Sequence, residues 1–191
     1  LVGSEMCIRD SLETTYHRCD NGKTHWYAVD LPHVIQYRRG LLPEPEREFY
    51  ISGDAFVKDW IIKVRNDVPD APVLVTAGGL LHYFEENKVI SLLRMIGQSG
   101  NMEVVFDTVN KKGMAMMQKK YMKQVGHADA QMFFYVDAAK ELAAKIRGNV
   151  KVIAEEPYYR YIPKNGLKLS TKVSMAVSDQ FKMVKMIHLK L

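Results

Sequence analysis

His25-Trp26-Tyr27-Ala28-Val29-Asp30-Leu31-Pro32 is an aromatic and β-branched run that stops at an acid and passes directly into Leu-Pro. Such a run suits a strand, and a proline just inside the next segment suits the first turn of a helix. The reading predicts a strand over 25–30 and a helix over about 33–41.

Downstream the alternation repeats. Pro43 and Pro45 break the chain, 48–52 (EFYIS) reads as a short strand ending at Gly53-Asp54, and 55–66 reads as helix. The run 72–77 (PVLVTA) is almost continuously apolar between a proline and Gly78-Gly79, as expected of a central parallel strand covered on both faces. Val89, Leu92, Leu93 and Ile96 then fall at helical spacing within 85–97, and 102–108 (MEVVFDT) is the next strand.

Beyond Lys111, Met114, Met117 and Tyr121 share one helical face, and the stretch Met114 to Met132 reads either as an adaptable lid or as an ordinary amphipathic helix. Helices over 137–147 and near 169–177, with strands over 150–154 and 183–191, complete the chain. Strands alternating with helices imply right-handed crossovers and an α/β, Rossmann-like, mostly parallel sheet with helices on both faces. The last two strands add an antiparallel edge.

Composition bounds the partners. The chain has 191 residues, 47% of them hydrophobic and 26% charged, enough for one globular α/β domain. The net charge of +5 is scattered among 22 acids rather than gathered into a block, so it reads as a solvated surface and not as a nucleic-acid footprint. Cys7 and Cys19 lack any framework or zinc spacing, which predicts reduced thiols, no structural metal and a cytoplasmic setting. No apolar run reaches the length of a membrane helix, so no membrane association is expected.

In doubly wound sheets ligands sit beyond the carboxyl ends of the strands, which singles out Asp30, Asp54 and Gly78-Gly79. Asp30 is placed to accept both hydroxyl hydrogens of a ribose, and it is equally placed to cap the helix after it. Asp54 can accept from an adenine amino group or simply begin a turn. Gly78 permits close backbone approach, and His82 and Tyr83 just beyond supply a candidate base or hydroxyl, although a tight turn explains the same residues. Sequences for HExxH, GxSxG or a phosphate loop are absent.

Four segments in order, LETTYHR (12–18), HWYAVDLPHVIQYRR (25–39), YISGDAF (50–56) and VLVTAGGLLHYFEE (73–86), with the closing MVKMIHLKL (183–191), resemble the leucine carboxyl methyltransferase / polyketide O-methyltransferase (TcmP-like) family. The resemblance spans 12–191. It implies a class I S-adenosyl-L-methionine-dependent methyltransferase sheet and an O-methyltransferase acting on a carboxylate or hydroxyl oxygen of a small molecule, polyketide-like or carboxylate, or of a peptide. Asp30 would bind the cofactor ribose, Asp54 and the Ala55 backbone the adenine, and Glu13, Arg18 and Gly78 would complete the cofactor site. His82 and Tyr83 are the candidate catalytic residues. No metal is implied.

The sequence departs from the family's pattern in three places. The segment Ala77-Gly78-Gly79 has no carboxylate where many relatives have a glutamate, and Thr15 stands where an arginine is common. The family's first strand and glycine-rich turn should precede Leu12, but the chain reads CIRDS there, with Asp10 and Ser11 near the glycine positions. Residues 1–11 are therefore expected to be foreign to the family, the chain to be an N-terminally incomplete fragment lacking a region on which activity depends, and Met6 to Arg9 to substitute in part for the missing strand. Two other readings remain open: a nicotinamide-dependent oxidoreductase, because an acid after the second strand also suits that ribose, and a non-catalytic fragment serving as an interaction module.

Overall fold

The computed structural model describes residues 4–8, 12–124 and 131–191. Seven strands form one sheet: β1 (Ser4–Ile8), β2 (His25–Asp30), β3 (Glu48–Ser52), β4 (Val73–Ala77), β5 (Met102–Val109), β6 (Lys151–Pro157) and β7 (Val184–Lys190). Their spatial order is β3-β2-β1-β4-β5-β7-β6. Neighbours from β3 through β5 run parallel, while β7 is antiparallel to both β5 and β6.

The central slot belongs to β1. Ser4 lies opposite His25 on one side and Val73 on the other, and Ile8 opposite Val29 and Ala77. The stand-in expected at Met6 to Arg9 thus lies at 4–8, and it pairs along its whole length. This satisfies backbone groups of β2 and β4 that an empty slot would leave unpaired. Arg9, Asp10 and Ser11, including the two positions aligned with the family's glycines, lie outside the described residues.

The helices are α1 (Thr15–Cys19), α2 (Pro32–Leu41), α3 (Asp59–Asp67), α4 (Glu86–Gly97), α5 (Lys111–Gln124), α6 (Ala139–Ile146) and α7 (Leu169–Gln180), with a 3-10 turn at Leu81–Tyr83. One core joins Trp60, Ile61 and Val64 of α3, the apolar stripe of α4 and Leu142 and Ile146 of α6 to Val73, Val75, Val104, Phe106, Ile187 and Leu189 of the sheet. A smaller cluster of Ala28, Ile35 and Tyr50 seats α2. Alternation along β5 sorts its side chains: Val104 and Phe106 are buried, Val105 and Asp107 half-buried.

Several element boundaries shift from expectation, the start of α3 by the most. The helix expected from Ala55 begins at Asp59, because Asp54 Oδ1 accepts the Phe56 N–H at 2.9 Å and the Asp54 carbonyl accepts the Val57 N–H, holding 54–57 in a turn. Asp30 does not cap α2. Leu31 occupies that position without a side-chain bond, while Asp30, one residue earlier, accepts the Leu31 N–H on its Oδ1. Tyr121 and the later part of the expected lid, up to Ala130, fall where side chains or backbone are not described, and only Met114, Met117 and Met132 are seen to cluster, beside Val109.

Candidate functional site

The carboxyl ends of β1 to β5 open on one edge. Because β7 is antiparallel to both its neighbours, β6 runs with β5, and Pro157-Tyr158 reaches the same edge. Asp30 ends β2 with its side chain mostly covered, and its Oδ1 accepts the Leu31 N–H at 2.7 Å. Gly53 N–H donates to the Asp30 carbonyl, which ties the β3 loop to the β2 tip.

Between these tips lies a cavity of about 200 Å³, lined by Val29, Asp30, Leu31, Gly53, Asp54, Ala55, Phe56, Leu80 and Phe84. Its two carboxylates are set in apolar and aromatic walls, the lining expected of a pocket for a flat, polar-edged ligand. The rings of Phe56 and Phe84 meet with centroids 4.4 Å apart, and Lys88 Nζ stands over both. The buried Trp60 donates its Nε1 hydrogen to the Ala55 carbonyl at 2.9 Å, fixing the 53–56 loop from below. Asp30, Asp54 and Ala55 are therefore brought together; Phe56, Phe84 and Trp60 are members that the sequence pattern does not single out.

Glu13 and Arg18 are not among the residues lining this cavity. Their side chains pair at 2.5 Å and both are more than half exposed. Burial would raise the Glu13 pKa, but the Thr14 N–H and the Arg18 guanidinium outweigh it and hold the carboxyl below its ordinary value. Another residue unforeseen from sequence steadies this segment. Arg38 of α2, with no exposed surface, donates to the Glu13 carbonyl at 2.9 Å and to Glu48 Oε1 at 2.8 Å, and its guanidinium lies 4.7 Å from the Tyr50 ring centre. The adjacent pair Arg38-Arg39 gives no sign in the sequence of which arginine is buried.

Gly78 is exposed beyond β4, and a Cβ there would meet nothing within 4 Å, so the backbone edge is open to an approaching group. Gly79 adopts a φ of +62° and donates its N–H to Asp107 Oδ1 at 2.6 Å. His82 is buried; its carbonyl accepts the N–H groups of Phe133 and Phe134, and its ring packs 4.5 Å from that of the partly exposed Tyr83. The His82 backbone thus ties the 3-10 turn to Phe133 and Phe134, and Tyr83 is partly exposed beside it.

No family model matches the chain. Over 136 residues it is 32% identical to the S-adenosyl-L-methionine-dependent methyltransferase dpfgK of Gibberella zeae, an alignment covering 64% of this chain and 44% of that protein. The chain spans less than half the length of this curated relative. Among solved structures it superposes on a DUF574 family protein from Streptomyces avermitilis with a TM-score of 0.68 at 12% identity, covering 99% of this chain and 75% of the other. It also superposes on NcsB1, an O-methyltransferase from neocarzinostatin biosynthesis solved with S-adenosylmethionine and 2-hydroxy-5-methyl naphthoic acid, with a TM-score of 0.60 at 11% identity, covering 99% of this chain and 49% of that one.

Proposed function

We propose, for a chain that belongs to the class I S-adenosyl-L-methionine-dependent methyltransferases, that it binds S-adenosyl-L-methionine at the strand tips and forms part of an O-methyltransferase for a carboxylate or hydroxyl oxygen of a small molecule. The observation that carries the reading is the cavity between the β2 and β3 tips, where Asp30, Asp54 and the Phe56-Phe84 wall meet.

These residues fit an adenosine. Asp30 would offer carboxylate oxygens to the ribose hydroxyls, Asp54 and the Ala55 backbone would take the adenine edge, and the paired rings of Phe56 and Phe84 would form an apolar wall beside it. Glu13, Arg18 and Gly78 would complete the cofactor site, Gly78 through its open backbone beyond β4. When bound, the group supplies an electrophilic methyl on a sulfonium. The protein's contribution is to orient the acceptor oxygen and exclude water. A carboxylate acceptor is ionised near neutral pH and needs no base; for a hydroxyl acceptor, Tyr83 or His82 supplies a proton-accepting contact.

Strand order favours this reading over the nicotinamide one. A dinucleotide fold runs 3-2-1-4-5-6 with parallel strands, whereas here the antiparallel β7 is inserted between β5 and β6. Calorimetry with S-adenosylhomocysteine and NAD tests the proposal. Selective binding of the former, weakened at least tenfold by Asp30→Ala in a folded variant, is expected. Preference for NAD, or binding of neither, overturns it, and the second result leaves the interaction-module reading standing.

A further inference from the structure

We infer that Asp107 is the anchor for the cofactor's α-ammonium group, a cofactor-contacting residue on β5 outside the set that the sequence pattern assembles. The inference rests on the cofactor reading above.

Asp107 is level with the first residue beyond β4, since Phe106 pairs with Ala77. Its Oδ1 is fixed by the Gly79 N–H at 2.6 Å, so the carboxylate is aimed at the loop that closes the crevice. That loop, Ala77-Gly78-Gly79-Leu80, carries no acid of its own. Of the other carboxylates near this end, Asp30 and Asp54 are taken by the ribose and adenine in the cofactor reading and Glu13 is already paired with Arg18, while the Lys185 ammonium is turned away to Glu155 and the Asp137 carbonyl. The Tyr158 pKa is raised, first by burial and then by the charge of Asp107, which is in keeping with an anionic carboxylate near Tyr158.

Distance agrees with this assignment. From β2, where Asp30 would hold the ribose, to β5 is three strand spacings, roughly 14 Å. Two charge-assisted hydrogen bonds of about 2.8 Å leave roughly 9 Å between them, the reach of a ribose with its sulfur-linked amino-acid tail. An ammonium there replaces its hydration with a carboxylate already ordered by Gly79, so binding costs little reorganisation.

The test uses calorimetry of the chain with two probes. One is S-adenosylhomocysteine; the other is 5′-S-(3-carboxypropyl)-5′-thioadenosine, which keeps the tail and its carboxylate but lacks the ammonium. Asp107→Asn preserves an oxygen for the Gly79 N–H and removes only the charge. It should weaken S-adenosylhomocysteine at least tenfold and leave the des-amino probe within twofold. Equal loss for both probes, or no loss for either, overturns the inference while the cofactor reading stands. Failure of the unsubstituted chain to bind either probe overturns the cofactor reading and the inference with it.

Discussion

Arg38 has no exposed surface, yet it carries a full charge between Glu48 and the Glu13 carbonyl. Burial raises the Glu48 pKa, and the Arg38 charge opposes that rise. Removing one member of such a pair leaves an uncompensated buried charge, so Arg38→Met should cost about 3–5 kcal/mol in chemical denaturation, and Arg38→Met/Glu48→Met should recover much of the loss. If the single variant unfolds at the wild-type midpoint, the pair is not holding the Glu13 segment. Glu155 gives a pH-dependent counterpart. Its own burial pushes its pKa up, but the Lys185 ammonium and the Ala139 N–H prevail and the carboxyl titrates below its ordinary value. The stability it contributes is therefore present above the unfolded carboxylate's pKa and lost as pH falls through the lowered one. Glu155→Gln should flatten that acid limb of the stability-pH profile while leaving the alkaline limb in place. An unchanged acid limb would place the titrating group elsewhere.

At the scale of elements, α5 is docked by a contact that tolerates no side chain. A Cβ on Gly113 would lie 2.4 Å from the Met183 carbonyl oxygen, and Asn110 ties the same corner by accepting the Gly113 N–H and donating to the Phe181 carbonyl. Gly113→Ala should destabilise by about 1–3 kcal/mol through overpacking, read by thermal or urea unfolding. Gly40, inside α2, provides the contrast, since a Cβ added there would meet nothing within 4 Å. Gly40→Ala should be neutral or stabilise by up to about 1 kcal/mol through helix propensity. Equal effects at the two glycines would refute the close-packing account. Elements of this kind were legible where periodicity was strong. Strands 25–30 and 48–52 are found at the expected residues, and α4 starts one residue later than read, because one covered face leaves a regular pattern. The 54–58 turn was not legible, since its outcome depends on which N–H the Asp54 carboxylate takes. Nor were the Asp107–Gly79 and Arg38–Glu13 contacts, which join positions far apart in sequence and follow no local spacing.

For the whole molecule, the two faces of the sheet are unequally covered. Val73, Val75, Val104 and Phe106 lie within the main core, while Leu74, Val105 and Met186 are half-buried and belong to none of the core clusters among the described residues. Val104→Ala should accordingly cost about 2 kcal/mol or more and Val105→Ala under about 1 kcal/mol, a difference that urea melts of the two adjacent variants would resolve. Comparable losses would mean that the second face is packed as tightly as the first.

The placement of β1 has a further consequence, in time rather than in space. Ser4–Ile8 is the centre of the sheet, yet one of its partners, Val73–Ala77, is separated from it by the whole of β2, α2, β3 and α3. On a ribosome, the middle strand leaves the tunnel before β4 and keeps one edge unsatisfied until β4 has been synthesised. Such high contact order slows assembly toward the millisecond-to-second range, and the waiting edge is a template for pairing with another copy. Yield from expression should therefore respond to slower synthesis and to chaperone supply more than the stability of the finished fold would suggest.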